Sequence, residues 1–213
     1  MTSDAFRRVG WALIVVGVLD IGYMVYCIVN HLSYGSSFNI FAVIAGAFLL
    51  RRNLRAAKVV TWFAALLLTG LGGVLILLPL VIPLDFWAVQ LRLNPVSTPV
   101  TLALAIAALV FVSWVYRELT SEAVVEARRS AGLDTKRPFS AFVAGVAVVI
   151  IFMAMALAMN HSSSADVARQ KAQQQLGGNY KYYVSSMEWS GSGGRATVTA
   201  YNDAEVKEVQ VEW

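Results

Sequence analysis

The sequence predicts an all-α membrane bundle of five transmembrane helices followed by a small α+β domain, one helix and a three-stranded antiparallel meander. Three observations predict it. The chain of 213 residues is 58% hydrophobic and only 14% charged, whereas soluble domains are about 45–50% apolar. Four runs are long enough to span a bilayer: Trp11 to Leu32, Ala56 to Leu78 or a little beyond, Pro99 to Tyr116 and Phe139 to Asn160. At 1.5 Å rise per residue, about 20 apolar residues cover a hydrocarbon core ~30 Å thick. After Asn160 the pattern changes to helix caps and then to strand-like alternation.

The first run follows Arg7 and Arg8, as a signal peptide would. It exceeds the ~7–15 residues of a signal h-region, and no small-x-small cleavage site follows, so it reads as a retained signal anchor.

A fifth run, Phe38 to Leu50, is short for a span. Charge decides in its favour. If it crosses, Arg7, Arg8, Arg51, Arg52, Arg55, Lys58, Arg117, Arg128, Arg129, Lys136 and Arg137 share one side, and Arg92 alone occupies the short loops opposite. If it does not cross, the asymmetry runs against the positive-inside rule. Ser36, Ser37 and Leu54 supply extra length. This topology puts the N-terminus in the cytoplasm and divides the chain into a transmembrane domain, 1–160, and an extracytoplasmic domain, 161–213. In a bacterial inner membrane the latter is periplasmic.

Pro79 and Pro83 are expected to close the third span. Beyond them Phe86, Trp87 and Arg92 read as interfacial anchors. Thr98 and Pro99 start the next span as N-cap and first helical residue. Glu122 to Ala131 reads as a short solvated connector helix, with Arg128 and Arg129 in its last turn and Gly132 as its stop.

In the tail, Ser162, Ser163 and Ser164 offer N-caps to a helix from about Ala165 to Leu176, ended by Gly177 and Gly178. Strands are expected over Tyr180 to Trp189, Arg195 to Tyr201 and Glu205 to Trp213, joined by Gly191 to Gly194 and by an Asn202-Asp203 turn. Val209, Val211 and Trp213 fall on one face and Glu208, Gln210 and Glu212 on the other. So small a domain buries too little surface to stand alone and should lean on its own loops, a second copy or a partner. Its candidate partner-binding residues are Tyr183, Trp189, Val209, Val211 and Trp213.

Asp20 is the most informative single residue, nine positions past Trp11 and so ~14 Å into the membrane. A charge there costs ~2.5–3.5 kcal/mol. It pairs by position with Tyr23, and Thr61 or Thr69 is expected to reach it. One reading is a proton or cation site; the plainer one is an interhelical hydrogen bond.

His31 and His161 follow Asn30 and Asn160 at span ends, a usual interfacial arrangement, and have no partner at metal-ligand spacing. Ala42 with Gly46, and Gly70, Gly72 and Gly73, read as close-packing positions. Met153, Met155 and Met159 read as lipid-facing or filler residues, and the lone Cys27 as a small hydrophobe. The excess of 17 Lys+Arg over 13 Asp+Glu sits mostly beside apolar runs, which argues for a lipid bilayer as partner rather than nucleic acid. Catalytic motifs are absent, and no cofactor is expected.

The segments Leu19 to Cys27, Ser33 to Phe41 and Leu49 to Arg52, with Tyr183 to Gly191 and Ala196 to Asn202, resemble a family of bacterial polytopic membrane proteins. More remotely, a membrane helix leading into a helix and a meander resembles the cytochrome oxidase assembly factor 1 (Coa1) type of domain. The tail is a marginal exposed domain with an unpaired strand edge open to strand addition, and the chain carries no catalytic residues, which points to an accessory or assembly factor of a membrane complex. The expectation is therefore a non-enzymatic protein whose C-terminal domain binds a protein partner or a second copy. The alternative is a small transporter or channel with Asp20 as its ionisable site.

Overall fold

The computed structural model describes residues 2–31, 39–190 and 193–213. In chain order the elements are α1 (Thr2–Val29), α2 (Asn39–Leu50), α3 (Leu54–Val81), α4 (Leu84–Leu93), α5 (Ser97–Leu119), α6 (Glu122–Ser130), α7 (Phe139–His161), α8 (Ser163–Leu176), β1 (Lys181–Ser190), β2 (Gly193–Tyr201) and β3 (Val206–Glu212). The protein is mostly helical with one small antiparallel sheet. Four helices are long and apolar enough to cross a membrane: Asp4–Val29, Leu54–Val81, Ser97–Leu119 and Phe139–His161. The 12 residues of α2 cover only about 18 Å of a ~30 Å core. Leu32 and Phe38, the expected facing ends of the first run and the short one, and Ser36 and Ser37, expected to lengthen the short one, lie outside the described residues.

The chain divides into two compact units, 1–69 with 108–145 and 70–107 with 146–213. In the first, α2 folds back along α1. A methyl group on Gly46 would lie 2.6 Å from the carbonyl oxygen of Gly10, so the crossing exists only because both positions lack side chains. The core of this unit joins Ala5, Phe6 and Val9 of α1 to Leu49, Ala57, Val115, Leu119 and Val124. That packing explains why α1 begins at Thr2 rather than at Trp11. Its first turns are amphipathic, not continuously apolar, and Arg8 on the polar side pairs with Glu118 at 3.6 Å. A tight turn joins α2 to α3: Arg52 takes a positive φ of 57°, and the Asn53 side chain caps α3 by accepting from the N–H groups of Arg55 and Ala56.

The third span ends at Val81, a little beyond Leu78 as expected; Pro83 follows its end, whereas Pro79 lies inside the last turn, where it withholds only one donor. One expectation is overturned: α6 is not a solvated connector, because Val124 and Arg128, one turn apart, are both buried.

In the second unit, α3 and α7 touch where Gly73 faces Val149. α7 runs to His161, Ser162 caps α8 by accepting from Ala165 N–H at 3.2 Å, and α8 ends at Gly177 with φ 87°. The sheet order is β1-β2-β3, antiparallel throughout, with a register shift in β1 between Val184 and Ser186. α8 lays Ala165, Ala168 and Ala172 against Val184, Ala196, Val198 and Val211. Small residues on the helix allow its backbone to approach the sheet closely. The turn into β3 is closed by Asn202, whose side chain accepts from the N–H groups of Ala204 and Glu205.

Candidate functional site

The sheet has two faces and α8 covers one. On the other, α4 brings Asp85 and Phe86 to one end of β1 and β2. The Asp85 carboxylate accepts hydrogen bonds from the Lys181 ammonium and, at 3.1 Å, from the Tyr201 hydroxyl. The Phe86 ring stacks on Tyr183, centroids 6.3 Å apart, and meets Tyr201 edge-on at 5.1 Å. At the far end of α4, Arg92 donates to the backbone oxygen of Asp203 and lies 3.9 Å from its carboxylate. Between these two ion pairs lies a polar cleft of about 400 Å³ whose walls include Ala88, Asn179 and Tyr180.

Electrostatics follow the geometry. The Lys181 ammonium, helped by the Tyr201 hydroxyl, holds the Asp85 carboxyl below its ordinary range against an opposing effect of burial. Asp85 in turn raises Lys181. Tyr201 is pushed up to about 12, first by burial and then by its bond to Asp85. At neutral pH the cluster is a carboxylate, an ammonium and a protonated phenol, mutually satisfied. It is built to hold two elements together rather than to move protons.

Phe86 and Arg92, expected at a lipid interface, thus grip the sheet; Trp87 is half-buried beside them. Of the residues expected to bind a partner, Tyr183 lies on the α4 side. Val209, Val211 and Trp213 pack under α8 as domain core. Trp189 pairs with Gly194 in the ladder, its side chain lying outside the described residues.

One side of the β3 backbone faces away from β2. Trp213 and Gly194 exchange both backbone hydrogen bonds, at 2.8 and 2.9 Å. In an antiparallel ladder such pairs alternate, so Val211 and Val209 bond inward to β2 while Glu212, Gln210 and Glu208 direct their backbone groups outward. The Glu212 oxygen accepts from Lys171. Among the described residues β3 pairs with β2 alone.

Asp20 lies half-buried in the middle of α1, with Tyr23 exposed a turn further on. The hydroxyls expected to reach Asp20 donate elsewhere: Thr69 to the Ala65 carbonyl and Thr61 to that of Ala57. Thr61 instead receives a bond at 2.9 Å from Arg128, which is only 5% exposed. Charge counting assigned Arg128 to a loop and gave no sign of this burial; its spacing from Val124 was the one available signal.

No protein-family model, curated protein or solved structure matches the chain.

Proposed function

We propose that this is a non-enzymatic multi-pass protein of a bacterial inner membrane, with a cytoplasmic N-terminus and the C-terminal domain on the periplasmic side. Its domain binds a protein partner by strand addition to β3, in the manner of an accessory or assembly factor for a membrane complex. The membrane reading is supported by long helices whose large apolar side chains face outward, among them Ile76 at 77% and Leu104 at 66% exposure. In water such a surface would aggregate.

Five crossings are supported by the core in which the first turns of α1 meet the last turn of α2 and the first of α3. The chain has gone out and returned to the level of its N-terminus before α3 begins. α3, with 28 residues, is taken as the third crossing.

The observation that carries the partner-binding reading is the outward backbone of Glu208 and Gln210 on a sheet whose two faces are already engaged, one by α8 and the other by α4. The side chains around it are charged, which suits a selective edge rather than a sticky one. Gln210→Pro removes an outward N–H and leaves the ladder to β2 intact. Full-length protein cross-linked in membranes should lose its partner band in Gln210→Pro while its melting profile stays unchanged. A periplasm-active reporter fused after Trp213 should be active. Retention of the partner by Gln210→Pro, or activity only of a cytoplasmic reporter, refutes the proposal.

A further inference from the structure

Above the Gly73 and Val149 contact, α3 and α7 part. α3 presents Val74, Leu77, Leu78 and Val81, one continuous helical face by spacing. α7 answers with Met153, Ala156 and Met159. These faces do not close on each other, and a cavity of about 250 Å³ lies between them. Its walls are hydrocarbon and thioether except at one end, where Asn160 of α7 and Tyr183 and Ser185 of β1 gather. There the Asn160 amide nitrogen donates to the Ala156 carbonyl, but its side-chain oxygen, buried, finds no donor among the described residues. A buried acceptor left without a donor carries the desolvation penalty of that group, so an occupant that supplies a hydrogen is favoured there.

We infer that this groove binds one acyl chain of an aminophospholipid, whose headgroup ammonium donates to the Asn160 side-chain oxygen beneath β1. The occupant must be amphiphilic, because the groove is apolar along its length and polar only at the end beneath the sheet. A helix from a second copy is too thick. At ~10 Å diameter with its side chains, it cannot enter a groove that narrows to contact where Gly73 meets Val149. A polymethylene chain fits, and the methionines adapt to it. The bilayer reading proposed above supplies the ligand, and this inference rests on that reading.

The test uses the full chain in nanodiscs containing phosphatidylethanolamine or phosphatidylcholine with a diazirine in the acyl chain, and peptide mapping after illumination. Labelling by the ethanolamine lipid should concentrate on Met153 and the 74–82 face above the level at the lipid-exposed control Leu104. Ala156→Trp, which fills the groove, should bring groove labelling down to the control level; Met153→Phe, a gentler filling, should lower it in part. Asn160→Leu should keep chain labelling but reduce the preference for ethanolamine over choline by roughly three- to tenfold, the value of one hydrogen bond. Uniform labelling of groove and control overturns the inference and leaves the membrane reading standing. Equal labelling by both lipids in the unaltered protein, or cross-links to a second copy, also overturns it. Absence of labelling on every helix removes the membrane reading as well.

Discussion

Asp85 and Lys181, 96 residues apart in the chain, form one ion pair that fastens α4 to the first residue of β1. Tyr201 from β2 donates to the same carboxylate. One carboxylate thus holds two strands.

The clasp should open in acid. The Asp85 carboxyl sits below its ordinary value of 3.8, so its contribution is fully present above that value and is lost as pH falls through the lowered one. Lys181 is raised, so its share persists up to its own ordinary value and is lost only in stronger alkali. Spin labels at Leu91 and Glu208 should report one narrow distance between about pH 5 and 9 and a broad one below about pH 3. Asp85→Asn should be broad at every pH; an unaltered distribution in that variant would remove the clasp from the account.

Gly194 has no room for a side chain. An added Cβ would enter the Trp213 ring, and one on Gly193 would lie 2.7 Å from the Trp213 carbonyl oxygen. Gly194→Ala should therefore destabilise the domain by about 1–3 kcal/mol. The loss should shrink in a Trp213→Ala background. Thermal unfolding of the four proteins closes the cycle.

Gly46→Leu should separate α1 from α2, because the carbonyl of Gly10 and the Ile14 side chain already occupy that space. A cost of about 1–3 kcal/mol is expected from overpacking. Unfolding in mixed micelles measures it, with Gly22→Leu as a control, since nothing lies within 4 Å of a Cβ there.

The buried Arg128 donates a side-chain bond to Thr61 at 2.9 Å, while its Nε has no partner among the described residues. Burial lowers the guanidinium's affinity for its proton and the charge of Asp134 partly restores it. Thr61→Val should cost about 1–3 kcal/mol in the natural background, where it strands a charged donor. In Arg128→Met the same change should cost almost nothing, and Arg128→Met itself should be close to neutral. Equal losses in both backgrounds would show that the bond contributes little.

Much of the fold was legible because its causes are local. Length and apolarity mark the spans, Ser162 and Gly177 bound α8 by capping chemistry, and the alternation of Val209, Val211 and Trp213 identifies the buried face of β3. What stayed hidden depends on distant partners. Ala5, Phe6 and Val9 look unremarkable among Asp4, Arg7 and Arg8 until α5 and α6 cover them. Nothing in the spacing of Phe86 announces the Tyr201 ring that lies 5.1 Å away. Arg128 counts as one more loop cation until Thr61 meets it. The β3 edge emerged from the ladder's phase, set by Gly194 and Trp213.

A single residue, Ser162, separates the end of α7 from the start of α8, and Arg169 ties across that joint by donating to the Asn160 carbonyl. Such a joint has almost no slack. A pull on the sheet, which α8 grips through its alanines, is delivered as torque to α7. Load on the sheet and the packing of α7 against α3 at Gly73 are therefore mechanically geared to one another.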